Sequence, residues 1–288
     1  HRDLHSFPTR RSSDLKGGEL ETWHPRFSYY GFRYVQVEGA APADATDAPA
    51  ELPRIRSLTG QFIYAAATPA GDIASSDPDL GRIHRLITAA IRSNFKSVLT
   101  DCPHREKLGW LEVSHLLAHG VMYNFEAPTF YAKICRDMRD SQLANGMVPD
   151  IAPEYVVFSD GFRDSPEWGS ASVINPWLVW QMYGDMRPLE EHYEVMKRYV
   201  AYLGSKAKDH LVSHGLGDWY DVGPGGPGVS KLTSPGLTAT ATYLQDIHIL
   251  RQAAALLKRP DDARTYTELA ARVQAAFNAR FLRADAGQ

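Results

Sequence analysis

Apolar positions change their period near residue 77. Before it, Phe27 to Glu38 (FSYYGFRYVQVE) and residues 57–67 (SLTGQFIYAAA) are dense in aromatic and β-branched side chains. That texture predicts strands. The stretch between them, AAPADATDAPAELP, has no period and is rich in Ala, Pro and Asp, which predicts a loop. Beyond it, Leu80, Ile83, Leu86, Ile87 and Ala90 recur at helical spacing after an Asp-Pro start. Further helices are predicted around 112–124, 127–144, 170–183, 188–207, 236–257 and 261–281. The last two are separated by RPDDA, which ends one helix and places acids in the first turn of the next. Successive helical hairpins without a fixed repeat favour a closed double ring of helices over a solenoid. The expected organisation is residues 16–76 as closing strands of a β-sandwich with a linker, then 77–288 as helical domain.

Residues 1–15 (HRDLHSFPTRRSSDL) have no apolar period and stop abruptly before that texture. HSFPTRRSSDL is a possible translation of a common sequencing-library adapter, so the segment is read as artefact; the alternative is a disordered tail.

The 288 residues are 44% hydrophobic and 23% charged, ordinary for a globular chain with a sizeable core. A formal net charge of -3 gives no basic excess for nucleic acid or an anionic membrane surface, and no apolar run is long enough to span a bilayer. Compartment and oligomeric state stay open. Cys102 and Cys135 are too few for a disulfide framework and lack zinc-site spacing, so two free thiols are expected. The spacing of His104 and His115 favours ordinary polar or core histidines over a metal or proton-transfer pair. GPGGPG lacks the Lys-Ser/Thr of a phosphate loop and is read as a flexible rim.

Three loops concentrate carboxylates beside aromatic residues: DCPHREKLGW (101–110), DGFRDSPEW (160–168) and GDWYDVGPGGPG (217–228). Carboxylates accept hydrogen bonds from sugar hydroxyls, and indole stacks on sugar C–H faces. The pattern points to glycoside cleavage, which needs one carboxylic acid to protonate the departing oxygen and a second carboxylate. Glu106 is the candidate acid, and a proton donor between Arg105 and Lys107 needs burial or a neighbouring carboxylate such as Asp101. The structural alternatives are a surface ion pair for Glu106, core roles for the tryptophans, and helix caps or solvated charges for the other acids.

The run TDCPHREKLGWLE resembles the signature of bacterial α-L-rhamnosidases, glycoside hydrolase family 78. FSYYGFRYVQVEG, NGMVPDIAP, SPEWGSASVINPWLVWQMYGD, GDWYD and DARTYTELAARVQAAFN extend the resemblance over nearly all of residues 16–288. It implies a mainly α fold, a partial (α/α)6 barrel preceded by a remnant of a β-sandwich, and an inverting mechanism without metal or organic cofactor. Glu106 then matches the general acid. Asp101, Arg105, Trp110, Glu112, Glu167, Trp168, Asp218 and Trp219 match sugar contacts. The commoner pattern has one more residue between the Asp and the Glu-x-x-Gly-Trp segment, and a Gly-Asp where this chain has Leu111-Glu112, which leaves the role of Glu112 open. The family's general base, a glutamate followed by a histidine, is expected downstream of Gln288, and no residue here is read in its place. The expected activity is therefore hydrolysis of terminal α-L-rhamnose from a rhamnoside or polysaccharide, feeble or absent in this chain alone. Another α/α-barrel glycosidase and a non-catalytic carbohydrate-binding protein are the alternatives.

Overall fold

A computed structural model describes residues 17–282, so the segment read as adapter-derived, residues 1–15, lies outside the described residues. The described chain is mostly helical. Two-residue strands β1 (Ala41–Pro42) and β2 (Arg54–Ile55) pair in parallel, and nine α-helices follow: α1 Pro78–Asn94, α2 Leu111–Leu116, α3 Ala118–Asn124, α4 Pro128–Ser141, α5 Pro166–Gly169, α6 Ala171–Tyr183, α7 Arg187–Lys206, α8 Pro235–Leu256 and α9 Pro260–Phe281.

The strands expected over 27–38 and 57–67 do not form ladders, and the short β1–β2 ladder falls between them, in the predicted loop and just after it. A strand is stable only with hydrogen-bonding neighbours and a covered face. Among the described residues those neighbours are helical-domain loops instead: Gly31 N–H donates to Pro103 O (3.0 Å), Ala65 N–H to Phe95 O (2.6 Å) and Ala70 N–H to Asn124 O (3.0 Å). Phe32, Tyr34, Val35, Val37, Phe62 and Ile63 consequently stay exposed.

The helices begin where the chain supplies starts. Pro78 opens α1 while the Asp77 carboxylate accepts from Asp79 N–H (2.9 Å), one of the donors a helix leaves unpaired at its first turn. Pro128, Pro235 and Pro260 open α4, α8 and α9 in the same early position, where proline's missing N–H costs nothing. Gly184 ends α6 at φ +68°, a left-handed conformation that glycine adopts without penalty, and the chain turns at once into α7. The predicted helix over 112–124 is broken at Leu117, which rotates Ala118, Val121 and Met122 inward and leaves Leu116 and Leu117 outside.

Helices α6 and α7 form one antiparallel hairpin and α8 and α9 another, and α6 also packs on α4 and α8. Because it is enclosed on all sides, α6 is buried around its whole circumference from Ala171 to Val179, and its polar Asn175 donates to Ser114 Oγ (2.8 Å). Tyr193, Tyr199, Met196 and Leu203 of α7 meet Ile247, Leu250 and Ala253 of α8 in one core cluster. Tyr193 Oη and Lys197 Nζ both donate to Asp262 (2.9 and 3.1 Å), fastening α7 to α9. In contrast, the stripe predicted on α1 has little cover: Leu80, Ile83, Leu86 and Ile87 are about half exposed or more, and of α1 only Ile91 is buried. Both cysteines are free thiols.

Candidate active site

The loop carrying Glu106 is closed on itself. Asp101 N–H donates to Leu108 O (3.1 Å), and Leu108 N–H returns to Asp101 Oδ1 (2.9 Å). Asp101 thus serves as the clasp of the loop, with its second oxygen left for other partners. At the tip, Glu106 is 41% exposed, accepts from Trp110 Nε1 (3.2 Å) and faces the Arg105 guanidinium at 3.9 Å. Arg105 itself is largely in solvent. An indole N–H and a guanidinium beside one carboxylate fix its orientation.

Trp110 then pairs with Ile151 in an isolated bridge, and Leu111 N–H donates to Asp150 O (2.8 Å). These bonds bring the stretch from Asp150 into the second loop alongside the first. Its Phe158 ring lies over Trp110 (5.3 Å, 30°), Phe162 follows Phe158 at 6.4 Å, and Trp219 meets Phe162 edge-on at 5.1 Å. The predicted walls Trp110 and Trp219 are therefore joined in one aromatic ladder through Phe158 and Phe162, which the sequence reading does not single out. Their signal was weak: each is a lone Phe in a loop, and only three-dimensional packing makes them consecutive.

Glu112 on α2 and Glu167 on α5 come close enough to interact electrostatically where the two helices pack. Burial raises the pKa of both, and Glu167 adds repulsion on Glu112. Both carboxylate oxygens of Glu167 are enclosed without a hydrogen bond of normal geometry, although Thr238 and His214 nearby pull its pKa partly back down. His115 Nε2 lies 2.7 Å from Glu167 O. A carbonyl only accepts, so this nitrogen carries the imidazole proton, and burial lowers the pKa of the ring. His115 is therefore a neutral anchor between α2 and α5.

Trp168 departs from the expected wall. It is 3% exposed and belongs to the hydrophobic core, because α5 turns Pro166 and Trp168 inward while Glu167 faces α2. Asp218 is exposed and accepts from Thr233 Oγ1 at 3.4 Å. Its neighbour Asp221 organises the glycine-rich segment read as a flexible rim: backbone N–H groups of Lys231 and Leu232 (2.7 Å each) and of Gly223 lower its pKa to about 2. Two further carboxylates support the loops. Asp150, 1% exposed, accepts from Ser165 N–H at the start of α5 (2.9 Å), and desolvation raises its pKa strongly. Asp164 is also desolvated, but donors from His214 (3.2 Å) and Tyr202 (2.5 Å) prevail and hold its pKa low.

Among the described residues no group of three or more His, Cys, Asp or Glu is placed to hold a metal ion, and no helix is long and apolar enough to cross a membrane.

Comparison with known proteins agrees with this architecture. The model of the bacterial alpha-L-rhamnosidase concanavalin-like domain matches residues 8–64. A curated alpha-L-rhamnosidase of Streptomyces avermitilis is 32% identical over 98% of this chain and 26% of its own length. The solved alpha-L-rhamnosidase from Dictyoglumus thermophilum superposes with a TM-score of 0.74 at 35% identity, covering 81% of this chain and 26% of that one. The Streptomyces avermitilis alpha-L-rhamnosidase complexed with L-rhamnose gives 0.70 at 30% identity, covering 77% and 21%. The chain thus spans about a quarter of the length of these relatives. The helical hairpins and the three loops they carry lie within residues 68–288, which match the model of the bacterial alpha-L-rhamnosidase 6 hairpin glycosidase domain, and the chain belongs to that family.

Proposed function

We propose that this chain carries the acid end of an active site that hydrolyses terminal, non-reducing α-L-rhamnose from rhamnosides with inversion. Glu106 protonates the departing glycosidic oxygen as the bond to the anomeric carbon breaks, and a second carboxylate directs water to the opposite face of the ring. That second carboxylate is assigned to no residue here and is expected from the longer polypeptide to which the relatives correspond. Trp110 and Trp219 offer ring faces to the sugar. Asp101, Arg105, Glu112, Glu167 and Asp218 supply polar contacts to its hydroxyls, and Trp168 backs the site from the core. The reaction so described calls for no metal or organic cofactor.

The observation that carries this reading is the Trp110–Glu106 pair at the end of the aromatic ladder: a proton-transfer group and a stacking face are joined by one 3.2 Å hydrogen bond. The test is hydrolysis of 4-nitrophenyl α-L-rhamnoside by this chain extended from its source gene to the length of its relatives, beside its Glu106→Gln variant and the chain alone. We expect turnover in the extended enzyme, a loss of about 10²–10⁴-fold in the variant, and little or none in the chain alone. Turnover of a different glycoside by the extended enzyme would move the assignment to another α/α-barrel glycosidase, and binding of rhamnose without turnover would make it a carbohydrate-binding protein.

A further inference from the structure

Lys107, next to the proposed acid, turns away from the sugar site. Its Nζ donates to Tyr29 O (2.8 Å) and lies 4.1 Å from the Tyr30 ring centre and 5.1 Å from that of Tyr29. Lys96, beyond the end of α1, approaches the same Tyr29 ring at 4.8 Å. The other end of Lys107 is held as well, since Tyr155 Oη donates to its carbonyl at 3.0 Å. Between these two grips the residue sits at φ +58°, a backbone conformation that a side chain adopts only when its surroundings fix it. Gly31, two residues beyond Tyr29, donates to Pro103 O, and a Cβ on it would stand 3.0 Å from His104 Cβ, so backbone and loop touch closely. The tyrosines and Gly31 lie within the residues that match the concanavalin-like domain, whereas the loop lies within the six-hairpin match.

From this geometry we propose that Lys107 is a positioning residue for Glu106: its ammonium, clasped by Tyr29 and Tyr30, ties the acid loop to the preceding domain and sets the direction of the Glu106 side chain. The proposal rests on reading Glu106 as the acid. A cation placed beside two aromatic rings is favoured by their quadrupoles, and a carbonyl acceptor satisfies one of its donors. Releasing it frees the left-handed residue to relax, and its φ turns about the bond next to the peptide shared with Glu106.

Two measurements test it. Hydrogen exchange on the chain itself compares residues 101–110 with α7 in Lys107→Met, Lys107→Arg and Tyr30→Leu; Tyr30→Leu leaves the loop sequence intact should Lys107→Met fold poorly. Exchange in 101–110 is expected to quicken about tenfold in the Met and Leu variants, to return towards the original rate with Arg, and to stay unchanged in α7. In the extended enzyme, the ratio of turnover on an alkyl rhamnoside to that on a dinitrophenyl rhamnoside reports how well the acid is placed, because only a poor leaving group needs the proton. The ratio is expected to fall about tenfold in Lys107→Met and further in Glu106→Gln. Unchanged exchange, or faster exchange with an unchanged ratio, overturns the positioning role. A Glu106→Gln enzyme that loses both substrates equally overturns the acid assignment instead, so the two failures are distinguishable.

Discussion

Replacing Gly169 by alanine should be far more damaging than the size of a methyl group suggests. Gly169 ends α5 directly after Trp168, against the fully buried Tyr199 of α7. A Cβ there would sit 2.3 Å from Tyr199 Oη, 2.7 Å from Cζ and 2.8 Å from Cε2, about 1 Å short of ordinary contact with the hydroxyl. A phenol ring cannot bend out of the way, and Tyr199 is packed among core residues on both sides, so α5 or α7 must move. Overpacking of this kind costs about 1–3 kcal/mol, and a rigid ring places it near the upper end. Gly120 in α3 is the control, because a Cβ on it meets nothing within 4 Å. Gly120→Ala should gain roughly 0.5–1 kcal/mol from helix propensity. Urea unfolding followed by tryptophan fluorescence should separate the two variants by about 3–4 kcal/mol. A Gly169→Ala protein within about 1 kcal/mol of the parent would refute the close-packing argument at α5.

Further outcomes follow from the buried carboxylates and the helix faces. Burial raises the Glu167 and Asp246 pKa values above their unfolded ones, so the stability each contributes is fully present below the ordinary carboxylate range and is lost as pH rises through the folded value. Glu167→Gln and Asp246→Asn should therefore raise the urea midpoint near neutral pH relative to the parent and lose that advantage at about pH 3; an advantage that grows on acidification would reverse the sign and reject the assignment. Leu86→Gln on the exposed face of α1 should change unfolding free energy by no more than about 0.5 kcal/mol, whereas Leu250→Ala in α8 should cost about 2–5 kcal/mol. Equal effects of the two in denaturant unfolding would show that α1 is covered. Trp168→Leu should lower stability and leave rhamnose binding measurable, while Trp219→Leu should weaken rhamnose binding at nearly unchanged stability; the reverse pattern in a paired titration and melt would return Trp168 to the sugar wall.

The amino-acid sequence by itself determined the helical part of this protein, and the reason is local. Helical period, proline at first turns and Gly184 at the end of α6 act within a few residues of one another, so the predicted helices match α4 and α6 to α9 closely. The loop over residues 101–110 stands out in sequence by its carboxylates beside an aromatic residue, and its closure is local, through Asp101 and Leu108. Strands were not, because Phe27 to Glu38 carries the right side chains but pairing depends on partners distant in sequence, and here the segment meets helical-domain loops. Nor could periodicity show that the α1 stripe would be exposed, since an amphipathic face says what it needs and not what arrives. Only the tertiary structure placed Phe158 and Phe162 between Trp110 and Trp219, sent Trp168 into the core, and set Lys107 between two tyrosines. Each of those relations joins residues whose proximity is created by packing, a property of the folded whole that no local pattern encodes.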